Sequence, residues 1–445
     1  MATAFRPRTL VLFVGDIFFF TLALWLSLYL RAFELPGREL FAAHLLPFSL
    51  LFVAWVAVFF IAGLYENRSL ILARRALSTT LLIAQTFNLA LAALFFFFVP
   101  LFGIAPKTLL FIYLAVSFLL VLVWRAGLFP LLRKPEPAVT VGEGAEMDEL
   151  VEAIRRAHRA PVVIAEVVSA AHGDLSQAIV EAMERHHARV VIADLNDQRV
   201  LKAFSHAYTL LSVGVRFFDA ATLYEDAFGR IPLSVIDDRW IVRNISGSAH
   251  ALYDPIKRLM DIVVAAVGGV LSLIFYPFLA LAIKLQDGGP IFYSQVRTGQ
   301  HNAPIVMRKF RSMSGADSGS EVLKSRHTVT AVGAVMRKSR LDELPQLWNV
   351  LRGDLSLIGP RPEFPALVAE YAKGIPFYNV RHLVKPGLSG WAQLYHDNHP
   401  HHGTDLEATR EKLSYDLYYL KHRSLALDVT IALKTIKKLL TRSGV

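Results

Sequence analysis

Four apolar segments, about Thr9–Leu30, Phe41–Leu64, Leu77–Val99 and Leu109–Trp124, open the chain. Each is near the roughly 20 residues needed to cross a bilayer core. In hydrocarbon every backbone polar group must be satisfied inside its own segment, so these stretches can only be helices, packed as a bundle. Composition agrees: the 445 residues are 54% hydrophobic with 30 Phe, above the usual globular share. Lys and Arg counts orient the bundle. Arg6 and Arg8 precede the first span, Arg68, Arg74 and Arg75 separate the second from the third, and Arg125, Arg133 and Lys134 follow the fourth. The opposite side holds Arg31 and Arg38, diluted by Glu34 and Glu39, and then Lys107. An even number of spans with both termini cytoplasmic follows. The first apolar run lacks a small-residue cleavage site and reads as a retained anchor. Asp16 lies inside the first span near its cytoplasmic end, and a partner across the bundle is expected for it.

The net charge is +10 and there is no cysteine. Disulfide frameworks, thiolate zinc sites and cysteine nucleophiles are excluded. The excess cations fit positive-inside loops or a site for anionic lipid or phosphorylated substrate. Without a basic stripe interleaved with aromatics, no nucleic-acid partner is expected.

At "LLRKPEPAVTVGEGAEMDEL" the text becomes soluble α/β. "AVTVG", "APVVIAEVV" and "ARVVIADL" read as buried parallel strands, with helical stretches between them. This alternation predicts a Rossmann-like, doubly wound sheet over about residues 138–245. Its first turn is Gly142-Glu143-Gly144, but Met147 stands where the fingerprint's third glycine would be. Glu143 would repel a pyrophosphate, so a structural or regulatory domain is favoured over a dinucleotide site.

A further apolar stretch, "YDPIKRLMDIVVAAVGGVLSLIFYPFLALAIKLQDGGP", reads either as a fifth span or as a re-entrant hairpin. Pro277 inside it predicts a kink, because proline lacks an N–H and clashes with the preceding turn. From residue 286 the text is basic and mixed. "IFYSQVRTG" and "APIVMRKFRSM" read as strands, the second carrying Arg308, Lys309 and Arg311. "AVGAVMRKSRLDELPQLWNVLRG" reads as a helix bent or ended at Pro345, and "DLSLIGPRP" as a rigid turn with Arg361.

Within that helix Asp342 and Glu343 stand among Arg337, Lys338 and Arg340. Adjacent carboxylates raise one another's pKa and attract a divalent cation, while nearby arginines lower it and clamp phosphate oxygens. Such a set suits phosphoryl transfer. Alone, the pair would be an ordinary solvated face.

Four motifs in order, "KFRSM", "RKSRLDELPQLWNVLRGDLSLIGPRPE", "VKPGLSGWAQL" and "EKLSYDLYYLKHRSLALDVTIALKTIKKLL", resemble the bacterial sugar transferase family of monotopic polyprenyl-phosphate phosphoglycosyl transferases. The resemblance covers about residues 251–445. The N-terminal half is similar to the large members of that family, with four spans and a CoA-binding-type, Rossmann-like domain. "FDAATLYEDAFGRIPLSVIDDRWIV" resembles the stretch that closes that domain. The resemblance implies transfer of a sugar-1-phosphate from a UDP-sugar to undecaprenyl phosphate with release of UMP. This is the first membrane step of exopolysaccharide, capsule or O-antigen synthesis. It implies Asp342 as nucleophile, forming a covalent phospho-sugar intermediate, and Glu343 as the residue linked to Mg2+ and to the acceptor phosphate. Arg361 is implied near the nucleotide and Lys309 and Arg311 in anion binding, with Arg337 and Arg340 as further substrate-binding cations. It also settles the apolar stretch as re-entrant, with Tyr276-Pro277 where family members have Ser-Pro.

The expected architecture is therefore membrane α plus α/β. Residues 1–135 form four transmembrane helices and 136–248 the Rossmann-like domain. Residues 251–290 form the re-entrant hairpin and 291–445 a mixed α/β catalytic domain. The implied setting is the bacterial inner membrane, with the catalytic domain cytoplasmic, inner-membrane lipids around the anchor, and a homodimer. A UDP-releasing glycosyltransferase is disfavoured by the lack of a DxD-type motif, and a non-enzymatic scaffold by the intact Asp342-Glu343 motif. Asp317 and Glu321 fall in a polar loop, "HDNHPHHG" reads as a loop rather than a transition-metal site, and Trp391 as an interfacial anchor or core. The C-terminal "RSLALDVTIALKTIKKLL" reads as a membrane-surface helix or a packed one with snorkelling lysines.

Overall fold

The computed structural model describes residues 7–62, 64–65, 74–98, 107–132, 135–157, 160, 162–204, 214–245, 253–314, 328–395 and 405–440. Asp317, Glu321 and the histidines at 396, 399, 401 and 402 lie outside these residues. The chain divides into two compact units, Met1–Ala227 and Phe228–Val445.

The first unit begins with four helices, α1 (Pro7–Ala32), α2 (Arg38–Ile61), α3 (Arg74–Phe98) and α4 (Lys107–Val123). All four are long and apolar enough to cross a membrane. Phe20, Phe48, Trp55 and Phe59 form the aromatic centre of the bundle and are almost wholly buried. The Trp55 indole N–H donates to Asn88 O at 3.0 Å and the Tyr113 hydroxyl to Phe20 O at 3.2 Å, so the polar tips of these rings are satisfied. Asp16 has its partner: Arg125, in a π-helical turn after α4, bonds both carboxylate oxygens and also donates to Leu64 O at 2.7 Å. Tyr65 adds a hydroxyl to Asp16 at 2.6 Å.

Next come β1 (Glu136–Val141), α5 (Ala145–Arg156), β2 (Val162–Val168), α6 (Leu175–Arg185), β3 (Val190–Ala193), α7 (Gln198–Ala203), β4 (Arg216–Asp219) and α8 (Ala220–Phe228). The four strands form a parallel sheet in the order β2-β1-β3-β4. Continuous apolar strands suit a sheet covered by helices. In the first turn the Glu143 carboxylate accepts the Ala171 N–H at 3.0 Å and the Ser169 hydroxyl, with Arg199 at 3.5 Å. Met147 packs against Gly142 so closely that a Cβ there would lie 2.5 Å from its Cε.

In the second unit, residues 228–245, which the sequence reading attached to the α/β segment, include α9 (Asp238–Asn244) and pack through Ile231 and Trp240 against Leu413, Leu417 and Trp391. Trp391 is core: its indole N–H donates to Gly229 O at 2.6 Å. Two helices follow, α10 (Tyr253–Ser272) and α11 (Tyr276–Asp287), bent by 56°. The bend differs in detail from expectation. Pro277 is not interior to one helix but sits in the first turn of α11, where no N–H is required. Three-residue turns close the break, with Leu273 N on Val270 O at 3.1 Å, Phe275 N on Ser272 O at 3.0 Å and Tyr276 N on Leu273 O at 3.2 Å. The Ser272 hydroxyl caps Gly269 O at 2.7 Å. The Tyr276 hydroxyl caps nothing among the described residues; its ring lies 4.8 Å from that of Phe310. Val263, Val267, Val270, Ile274 and Phe278 remain exposed, a broad apolar surface on the bent pair.

The remainder is mixed α/β. An antiparallel hairpin pairs β5 (Phe292–Thr298) with β6 (Pro304–Phe310), and two short strands, β7 (Met313–Ser314) and β8 (Thr328–Val329), pair antiparallel. Then come α12 (Ala331–Lys338), α13 (Gln346–Arg352), β9 (Ser356–Ile358), α14 (Pro365–Gly374), β10 (Gly387–Ser389) and α15 (Trp391–Tyr395). The chain closes with α16 (Leu406–His422) and α17 (Leu425–Leu440). α17 buries Ile431 and Asp428 yet exposes Val429, Leu433 and Ile436, so it is packed on one face and apolar on another.

Candidate active site

The segment carrying Asp342 and Glu343 is not one helix. α12, capped by the Thr330 hydroxyl on Gly333 N at 2.9 Å, stops at Lys338, and Arg340 turns left-handed with φ 58°. Leu341–Glu343 then form a 3-10 turn, and α13 begins after Pro345. The reason is local: left-handed Arg340 cannot continue a helix, and Pro345 has no N–H to extend the turn. Leu341 and Leu344 are drawn into the cluster of Phe310, Met336 and Ile283. Asp342 is consequently 7% exposed. Burial pushes its carboxyl up to about 6; the Glu343 charge adds to this, while Lys309 and Arg337 work against it.

Lys309 reaches this field from β6. It stands opposite Tyr293 in the hairpin, its ammonium 5.6 Å from that ring. Burial pulls its pKa below the ordinary lysine value, Arg297 and Arg337 deepen the shift, and Asp342 and Glu343 oppose it. Asn349 of α13 fixes the hairpin to the dyad, donating to Val306 O at 2.7 Å and accepting from Arg308 N at 3.5 Å. Arg258 of α10 grips α13 from the other side, donating to Val350 O at 2.6 Å and Leu351 O at 2.8 Å. A cation on the last carbonyls of a helix satisfies orphan acceptors and the dipole together. Through it the bent helix pair holds α13, the helix that follows the dyad turn.

The remaining cations differ in their roles. Arg361 follows β9 in a turn whose backbone is bound on every side. Gly359 N donates to Ser389 O at 2.8 Å, Gly387 N to Pro360 O at 2.9 Å, and Arg381 to Arg361 O at 3.0 Å. The two chains approach so closely that a Cβ on Gly387 would lie 2.1 Å from Gly359 N, which explains glycine in both motifs. The Arg361 guanidinium has no hydrogen-bond partner among the described residues. Arg340 pairs with Glu343 at 3.4 Å. Among the described residues Arg337 meets the Met313 sulfur, at 3.5 Å, and its charge acts on Asp342 and Lys309. Arg311 is engaged with backbone, its Nε donating to Met313 O at 3.1 Å.

Several residues here went unread in the sequence. Arg297 on β5 donates to Gln295 Oε1 at 3.1 Å and to Pro362 O at 3.5 Å. Its period-two spacing from Tyr293, which pairs with Lys309, was the one available signal. Under the Arg361 turn lie two ion pairs, Arg381 with Asp416 at 2.7 Å and Lys412 with Glu363. Although burial disfavours its charge, Glu363 is held down to about 2 by Lys412, Arg381 and Arg361.

Among the described residues no group of three or more His, Cys, Asp or Glu side chains is placed to hold a metal. Asp342 and Glu343 still fit Mg2+ in kind, since that ion usually takes one or two carboxylates and completes its shell with waters and substrate phosphates.

A profile of the bacterial sugar transferase family matches residues 252–442. A UDP-glucose:undecaprenyl-phosphate glucose-1-phosphate transferase of Caulobacter vibrioides is 41% identical over 192 residues, 42% of this chain and 70% of that protein. This chain belongs to the bacterial sugar transferase family. A UDP-N-acetylgalactosamine-undecaprenyl-phosphate N-acetylgalactosaminephosphotransferase of Aeromonas hydrophila is 37% identical over 261 residues, 57% of this chain. The match spans 59% of that relative's length. A UDP-glucose:undecaprenyl-phosphate glucose-1-phosphate transferase of Escherichia coli (strain K12) is 39% identical over 190 residues, 41% of this chain and 40% of its own. These relatives thus carry names for different sugars.

Proposed function

We propose that this membrane transferase moves a sugar-1-phosphate from a UDP-sugar to undecaprenyl phosphate. The observation that carries the reading is Asp342: a nearly buried carboxylate, poised near neutrality, whose charged form is favoured by Lys309 and Arg337. Such a group is a nucleophile in waiting rather than an ion-pair partner. An Asp342 oxygen attacks the sugar-bearing phosphorus, the bond from that phosphorus to the bridging oxygen breaks, and UMP leaves. Lys309 and Arg337 stabilise the charge that develops. A phosphate oxygen of the lipid then attacks the same phosphorus and expels the Asp342 carboxylate, giving a lipid diphosphate sugar. Glu343 takes the proton of the acceptor phosphate, and Arg340 keeps it oriented. Mg2+, held by Glu343, would neutralise phosphate charge. Arg361 binds the nucleotide side, and Arg311 supports the end of β6 through its bond to Met313 O.

The relatives named for undecaprenyl phosphate support the acceptor. We read the bent pair as re-entrant, because its exposed apolar surface and its grip on α13 suit an anchor at the depth of a lipid phosphate. The parallel sheet of the first unit is read as Rossmann-like. Its first turn is closed on itself by Glu143 and Met147, which supports a structural or regulatory role. Both termini are cytoplasmic, the membrane is the bacterial inner membrane, and the protein is a homodimer.

The test uses protein in nanodiscs with undecaprenyl phosphate, Mg2+ and single UDP-sugars, with UMP and UDP measured separately. UMP from wild type and none from Asp342→Asn is expected. UDP as the product, or full activity in Asp342→Asn, would remove the nucleophile assignment.

A further inference from the structure

The described cations of the second unit differ in whether an acid bonds them. Arg381, Lys412, Lys257 and Arg230 each meet a carboxylate: Asp416, Glu363, Asp428 and Glu411. Arg297, Lys309 and Arg361 bond no carboxylate among the described residues, although their charges converge. Arg361 acts on Arg297, and Arg297 on Lys309. Glu363 acts on Arg297 and feels Arg361, but its carboxylate is already bonded by Lys412; Asp342 and Glu343 act on Lys309. Three like charges brought together without a bound counter-ion destabilise one another, and an anion among them relieves the repulsion.

Arg297 is also built to receive a ligand. Its guanidinium carbon lies 3.3 Å from the centroid of the Phe364 ring, which fixes the plane of the fork. One terminal nitrogen is oriented by Gln295 Oε1 at 3.1 Å, and Gln295 is itself oriented by donating to the Tyr293 hydroxyl at 3.0 Å. The bond to Pro362 O, at 3.5 Å, is long. Both protein acceptors are neutral, so its charge is left for something else. Burial in this setting pulls the group to about 10. A planar fork with oriented donors matches phosphate geometry.

We infer that Arg297 binds a phosphoryl oxygen in the reaction site, forming with Lys309 and Arg361 a cradle of three cations beside Asp342. The inference rests on the phosphoglycosyl transfer reading for its substrate, and the phosphate belongs either to the donor diphosphate or to the lipid acceptor.

The experiment uses full-length protein in nanodiscs. Thermal unfolding is followed with and without inorganic pyrophosphate for wild type, Arg297→Gln and Arg297→Lys. Initial rates are measured while UDP-sugar and undecaprenyl phosphate are varied separately. Pyrophosphate should raise the Tm of wild type and fail to raise that of Arg297→Gln, with Arg297→Lys between them. The lost charged hydrogen bonds correspond to a rise of about 10- to 100-fold in one KM. A rise in the UDP-sugar KM alone assigns the phosphate to the donor, and a rise in the undecaprenyl phosphate KM alone to the lipid. If Arg297→Gln does not fold, Phe364→Leu keeps the charge and releases its plane, and a weakened pyrophosphate shift is expected. An unchanged pyrophosphate shift in the folded variants, no shift in wild type, or a fall in kcat with both KM values unchanged overturns the assignment. Failure of wild type to release UMP would sink the functional reading instead, while the pyrophosphate shift still judges the anion site.

Discussion

Arg381 and Asp416 form an ion pair at 2.7 Å with side chains 1% and 2% exposed, directly beneath the backbone of the Arg361 turn. Arg381 divides its donors between that carboxylate, the Tyr378 hydroxyl at 3.3 Å and Arg361 O at 3.0 Å. The pair is thus a pedestal for a loop that presents a cation. Removing one partner leaves an uncompensated buried charge. Asp416→Ala should therefore lose about 3–5 kcal/mol of stability, read as a lower Tm or denaturant midpoint. A loss below about 1 kcal/mol would show that the Arg381 charge is satisfied elsewhere.

The Asp342 carboxyl, pushed up to about 6 by burial and Glu343, sets a pH limb. Under the proposed mechanism Asp342 must be ionised to attack, so kcat/KM should rise with pH through about 6 and level off above it. Lys309 holds this value down, so Lys309→Gln should move the limb to higher pH. Glu343 holds it up, so Glu343→Gln should move it lower, whatever each does to the maximum rate. Shifts in the opposite sense would contradict the placement of these charges.

The same carboxyl weakens the fold at neutral pH. Its folded value lies above the unfolded 3.8, so the native state binds more protons than the unfolded state between about pH 4 and 6, and stability falls as pH rises through that window. Asp342→Asn should accordingly be more stable than wild type by about 2–3 kcal/mol at pH 7–8, with the gain vanishing below about pH 4. Equal Tm values across that range would show that Asp342 is not strained by burial.

Arg340 adopts φ 58° to turn the chain into the dyad. A left-handed conformation costs a side-chain-bearing residue about 1 kcal/mol relative to glycine. Arg340→Gly should thus unfold at higher denaturant than Arg340→Ala, though both lose the same pairing with Glu343. The reverse order would indicate that the turn relaxes when the arginine is removed.

In the bundle, Asp16 and Arg125 bond each other and Arg125 stacks 4.9 Å from the Tyr65 ring. Asp16→Ala alone strands a cation among apolar helices and should lower Tm in detergent. Asp16→Ala with Arg125→Ala removes both charges and should recover part of the loss. A double variant no better than the single one would mean that Arg125 is held by Leu64 O and the rings alone.

Much of this protein was legible because its signals are local. Four runs of apolar residues dictated four helices, since a bilayer-length segment has no other way to satisfy its backbone. Strand-helix alternation announced the parallel sheet, and the Asp342-Glu343 motif stood in order among its companions. The dyad was legible as chemistry but not as geometry. A helical reading was natural for an apolar face of period 3.6, and only the left-handed Arg340 and the packing of Leu341 and Leu344 against Phe310 turned it into a 3-10 corner. Arg297, Arg381 and Lys412 went unread for a different reason. Their meaning depends on partners brought near by folding: Lys412 meets Glu363 across 49 positions, Arg381 meets Asp416 across 35, and Arg297 bonds no acid among the described residues. Sequence alone determined which chemistry the chain carries and that it belongs to a membrane, because hydrophobicity and residue type are properties of each position. Tertiary structure decided which cations are bonded by a carboxylate and which are not, because charge compensation is set by distance and burial in the folded chain.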